Sequence, residues 1–66
     1  MKPTQRELLD MKDRLAVASV SKDWERAKKD YLRALTDASQ RPELYSEFEL
    51  KNLLTGARIM LQSALP

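Results

Sequence analysis

Apolar residues recur along this chain at spacings of three and four, the period of helices with one buried side. Projected at 100° per residue, Leu8, Met11, Leu15 and Ala18 fall in one stripe. Val20, Trp24, Ala27, Tyr31, Ala34, Leu35 and Ala38 fall in another. On one straight helix over 4–39 the two stripes would point in roughly opposite directions. The spacing therefore predicts a bend at Ser19-Val20-Ser21, where Ser21 can cap a new helix and Asp23 suits its first turn. A third set, Leu50, Leu53, Leu54, Ala57, Met60, Leu61, Ala64 and Leu65, gives one broad apolar face.

Local signals place the helix ends. Thr4-Gln5-Arg6-Glu7 and Ser46-Glu47-Phe48-Glu49 both have the form of a capping box, and Tyr45 and Leu50 bracket the second as a hydrophobic staple would. Between the boxes, Pro42 disfavours helix at Arg41 and lacks a backbone donor. One Gly, three Pro and few β-branched residues leave little material for strands. The expected fold is all-α, a single domain over 1–66 with helices at 4–18, 22–39 and 46–64 and a turn at 40–45. The last two helices, each about 28 Å long at 1.5 Å per residue, should form an antiparallel hairpin, with the N-terminal helix added to it. In this reading the hairpin is the core: alanines 27, 34 and 38 allow close approach, and Trp24, Tyr31 and Leu35 fill the remaining space.

Two apolar features are left over. Phe48 and Ile59 lie about 180° from the core face of the last helix, and Asn52 and Thr55 join them without a charge. The line Phe48, Asn52, Thr55, Ile59 has the i, i+4, i+7, i+11 spacing of a helix that docks into a groove. The other feature is Leu8, Met11 and Leu15. Two accounts stand open. The first helix folds back to cover Phe48 and Ile59, or one or both stripes dock on another protein, which makes these seven residues the candidate protein-binding set.

At 66 residues the chain buries only about 60% of the surface it would expose unfolded, so its core is thin. Short chains commonly add disulfides, a metal or a partner. With no Cys and no His, disulfides and the usual zinc ligands are not at hand, which leaves a partner or self-association. The absence of those residues, together with a lone Gly56 where a phosphate loop would need several, points away from an enzyme, a metal or a cofactor. Most carboxylates sit where they pair along a helix surface: Asp10 with Arg14, Glu25 with Lys29, Asp37 with Arg33. The net charge is +2, from 12 Lys and Arg against 10 Asp and Glu. Asp23, Glu25, Asp30 and Asp37 interrupt the basic residues Lys22, Arg26, Lys28, Lys29 and Arg33, which reads as a solvated face and argues against a nucleic-acid stripe. No apolar run approaches the roughly 20 residues that span a bilayer, and Met1 to Glu7 lack the apolar segment of a secretory signal. The chain is expected to stay in the cytoplasm, away from membranes.

Pro42-Glu43-Leu44-Tyr45 at the turn, followed by Leu53-Leu54-Thr55-Gly56-Ala57-Arg58-Ile59-Met60-Leu61, resembles the small E-type co-chaperones of type III secretion needle subunits from Yersinia- and Pseudomonas-like systems. The likeness covers residues 25–64, and Trp24 and Ser19-Val20-Ser21 have no match in it. The resemblance implies a small protein that pairs with a TPR-like helical-repeat chaperone, the pair keeping a needle subunit monomeric in the cytoplasm until export. Without it, the alternatives are a self-associating hairpin, forming a homodimer as an adaptor, and a small nucleic-acid-binding regulator.

Overall fold

The computed structural model describes residues 2–64 as three α-helices and one short 3₁₀ turn: α1 (Gln5–Val17), α2 (Lys22–Gln40), η1 (Pro42–Leu44) and α3 (Glu47–Gln62). Each start has a visible cause. The Thr4 hydroxyl accepts from the Glu7 amide at 3.2 Å while Glu7 accepts from the Thr4 amide, and Ser46 and Glu49 repeat the exchange at 3.1 and 3.0 Å. Both satisfy amides that a helix start leaves without partners. The long dimension of the fold, 33 Å, is little more than α2 itself, about 28 Å at 1.5 Å per residue.

The bend expected at Ser19-Val20-Ser21 is present: helix stops at Val17 and resumes at Lys22, with Ala18 and Ser21 in extended conformation. Ser21 holds the N-cap position, yet its hydroxyl makes no capping bond. The turn is fixed from the other side, where the Lys28 ammonium donates to the Ala18 carbonyl at 2.6 Å. A cation at the last carbonyls of α1 also meets the negative end of that helix. At the far end the Gln5 amide donates to the Ser39 carbonyl at 2.8 Å. Those two bonds tie both ends of α1 to α2 in antiparallel register.

The core is not the α2–α3 pair alone. Leu8, Met11 and Leu15 of α1 are 0, 8 and 0% exposed, and with Leu35, Ala38, Leu50, Leu54, Ala57 and Met60 they form one buried cluster. The most extensive helix–helix packing is α1 on α2. Leu53 and Leu61 pack against the cluster half-buried, as expected, whereas Leu65 lies outside the described residues. Ser39, the buried polar residue, is satisfied through its hydroxyl, which donates to the Thr36 carbonyl at 2.8 Å.

Trp24 is not a core residue: it is 40% exposed. The reason is length. α2 has 19 residues against 13 in α1 and 16 in α3, and its stripe runs on past the point where its neighbours stop covering it. Tyr31 fills its expected place differently, lying against Gly56 of α3. A Cβ at position 56 would come within 2.7 Å of Tyr31 Cζ and 2.9 Å of Cε1, with the hydroxyl oxygen in the way as well. The helix accepts a glycine there, at roughly 1 kcal/mol of lost propensity, because the ring needs the space.

Two predictions follow from this packing. Leu15→Ala should cost about 2–5 kcal/mol by opening a cavity, whereas Trp24→Ala, on a side chain already open to water, should cost much less. Thermal melts followed by circular dichroism compare them, and equal losses would contradict the burial described. Gly56→Ala should destabilise the wild type by displacing Tyr31, yet stabilise a Tyr31→Ala background by up to about 1 kcal/mol. Denaturant titrations of the four proteins would show that change of sign.

Candidate functional site

The α2–α3 connection sets the phase of α3. After Pro42–Leu44, the Tyr45 amide donates to the Pro42 carbonyl at 3.1 Å, and the Tyr45 hydroxyl donates to Asp37 Oδ2 at 2.6 Å. Asp37 also meets Arg41 at 3.4 Å, so its expected partner Arg33 is left unpaired with it. Tyr45 packs against the core and Leu50 is fully buried, on either side of the Ser46–Glu49 box. With the start of α3 fixed and Leu50, Leu54, Ala57 and Met60 turned inward, the opposite face is set.

On that face stand Phe48, Asn52, Thr55 and Ile59, all exposed. Phe48 is 73% and Ile59 53% exposed. Of the two accounts for this line, coverage by the first helix is excluded. The short link 18–21 returns α1 along α2, and its apolar side chains meet the inward faces of α2 and α3, where they bury more surface than on the outside of α3. The same packing corrects the assignment of Leu8, Met11 and Leu15 as binding residues, since buried side chains offer nothing to a partner without unfolding.

The Phe48–Ile59 line forms a ridge between two shallow grooves. Toward α2, a concavity of about 350 Å³ is lined by Tyr31, Ala34, Tyr45, Phe48, Asn52 and Leu53, with Glu49 as its one charged residue. Toward α1, one of about 310 Å³ is lined by Pro3, Glu7, Lys51, Leu54, Thr55 and Arg58. Lys51 is paired with Glu47 at 3.2 Å and Glu49 is held by its cap, whereas Lys2 and Arg58, which also line the groove toward α1, are in no ion pair among the described residues. Among the described residues there is no group of three or more acidic side chains able to hold a metal, and no helix is long and apolar enough to cross a membrane.

The basic cluster read from the sequence as a solvated face is outward-facing in the fold. The basic cluster on α2 divides: Lys28 turns to the Ala18 carbonyl, while Lys22, Arg26, Lys29 and Arg33 remain exposed on the outward side. Their i, i+4, i+7, i+11 spacing was the available signal. Compared with protein-family models, curated proteins and solved structures, the chain finds no match.

Two ionisable groups in the turn give it a pH dependence. The hydrogen bond to Asp37, then burial, then the nearby carboxylates Asp37 and Glu49 raise the Tyr45 pKa above 10.0, with Arg41 opposing. A raised folded-state value means the stabilisation is full below pH 10 and lost as pH climbs through the folded pKa. Glu49 runs the other way: its bonds to the Ser46 amide and hydroxyl lower its pKa below 4.5, so its contribution is present above that value and fades as pH falls through the folded pKa. Tyr45→Phe should therefore flatten the alkaline limb of the melting temperature against pH, and Glu49→Gln should flatten part of the acid limb. Melts from pH 2 to 11.5 would test both, and parallel curves for wild type and variants would refute the assignment.

Proposed function

We propose that this protein acts as a binding partner for another helical protein, held through the outer face of α3. The observation that carries the reading is the exposure of Phe48 and Ile59 together on one line without charge, while Leu8, Met11 and Leu15 of α1 are spent in the core. Asp10 and Arg14 on α1 and Arg26 and Lys29 on α2 take outward positions, and Leu9, Val17 and Leu44, also exposed, stand apart from this line at the α1 surface and the turn. A ridge flanked by two grooves is convex and fits a concave surface, such as the inner face of a stack of helical repeats. In its specific form the reading is that of the co-chaperones the chain resembles. The protein would pair with a TPR-like chaperone in the cytoplasm, and the pair would keep a secretion needle subunit from polymerising.

A second copy is the competing occupant. Phe48 and Ile59 lie equally far from the midpoint of Asn52 and Thr55, so an antiparallel α3–α3 pair sets large against large and polar against polar. Two apolar side chains on each side, however, fall far short of the roughly 800 Å² per partner of a stable interface. A partner that also fills the grooves does better.

Phe48→Asp with Ile59→Asp should leave the melting temperature of the isolated protein within a few degrees of wild type and abolish capture of a purified helical-repeat chaperone, because charge buried in an interface costs several kcal/mol. A large loss of stability would mean that the face belongs to the fold. Normal melting with normal capture would dismiss the face altogether.

A further inference from the structure

Among the described residues, the outward side of α2 carries four cations that neither the core nor an ion pair uses. Lys22, Arg26, Lys29 and Arg33 keep within about 30° of a single line at 100° per residue, opposite Leu35 and Ala38. They span roughly 16 Å at 1.5 Å per residue. Among the described residues the ion pairs are Arg14–Asp10, Arg41–Asp37 and Lys51–Glu47, and none includes these four. The acids that interrupt them in the sequence lie off the line: Asp23 and Asp30 along one flank, Glu25 along the other, and Asp37 is held by Tyr45 and Arg41. Wound into a helix, the cations share one line and the acids flank it one turn away.

We infer that this line binds duplex DNA through its backbone phosphates, with α2 lying along one strand at the mouth of the major groove, so that the four cations face phosphates and the acids on either flank point away from them. The chemistry on the face decides among polyanions. A protein interface gathers aromatic and apolar anchors at its centre, and this line has none. An amphipathic helix on an anionic membrane needs a free apolar face, and that of α2 is buried against α1 and α3. Single strands are held by stacking on aromatic rings, also absent here. A-form RNA offers a major groove too narrow for a helix, whereas that of B-DNA, about 12 Å wide, admits one. With all four cations assigned to phosphates and none to a base edge, the proposed binding is independent of sequence. This face is separate from the α3 ridge, so the two readings stand or fall separately.

The experiment is a fluorescence-anisotropy titration of the full chain on a labelled duplex of mixed sequence, repeated from 20 to 200 mM salt. Four phosphate contacts predict a slope of log K against log salt near −3.6, or roughly 4,000-fold per tenfold change in salt. Replacing Lys22, Arg26, Lys29 and Arg33 by Gln should abolish binding at every salt concentration. A control that replaces Arg6, Arg14, Lys51 and Arg58 by Gln removes equal charge elsewhere and should keep both binding and slope. If circular dichroism finds the first variant unfolded, Arg26→Gln and Arg33→Gln singly should each lower the slope by about 1. The proposal is overturned by no binding at 20 mM salt, by equal loss in the control, or by an unmoved slope in the variants. Tighter binding to polyglutamate, to anionic vesicles or to single strands than to duplex DNA at equal salt would overturn it as well.

Discussion

Everything on the surface of this protein depends on where α1 goes after the break at Ala18–Ser21. Held at one end by Lys28 on the Ala18 carbonyl and at the other by Gln5 on the Ser39 carbonyl, α1 lies along α2 and places Leu8, Met11 and Leu15 in the shared core. A chain of 66 residues has little apolar surface to spare, and this placement uses the Leu8–Met11–Leu15 stripe while Leu9 and Val17 of the same helix stay exposed. Had α1 crossed to the outside of α3, the hairpin would have kept an open core and lost its exposed ridge together. The same step that closes the bundle leaves Phe48 and Ile59 uncovered.

Much of this was legible in the amino-acid order. The two capping boxes mark the starts of α1 and α3 because their chemistry is local: four residues contain every atom involved. The break at 18–21 followed from two stripes that no straight helix reconciles, and the exposed line on α3 from its phase against the buried leucines. Trp24 was misplaced because a stripe gives direction but not the length over which a neighbour covers it. Leu8, Met11 and Leu15 were left undecided between core and interface because periodicity says that a face is buried without saying by whom. The Asp37–Tyr45 contact escaped for a related reason, since it forms across a turn whose path the helix period does not describe. Asp37–Arg41 has ordinary i, i+4 spacing and was passed over because Pro42 marked Arg41 as outside the helix.

The cation line carries a local cost that the rest of α2 offsets. Like charges at i, i+4 weaken a helix by about 0.2–0.5 kcal/mol each, and Lys22 adds positive charge at the end of the macrodipole that is already positive. Asp23 and Glu25 in the first turn oppose both effects without entering the line. Further along, Leu35 and Ala38 anchor the helix from its other side, so its conformation rests on packing more than on intrinsic preference. A free peptide of the α2 sequence would lack that support.

Trp24 gives the protein an optical handle with a defined field of view. It is the chain's one indole, set at the end of α2 where the core thins, on the opposite side of that helix from the four cations and away from the middle of the α3 ridge. Partly hydrated in the native state, its emission starts from an intermediate colour and shifts only modestly on unfolding. It reports the fraying of one end of the bundle before it reports loss of the centre. An occupant of either face would lie away from Trp24, so indole emission follows folding, whereas Tyr31 and Tyr45, which line the groove beside Phe48, are the fluorophores placed to sense an occupant of the α3 face.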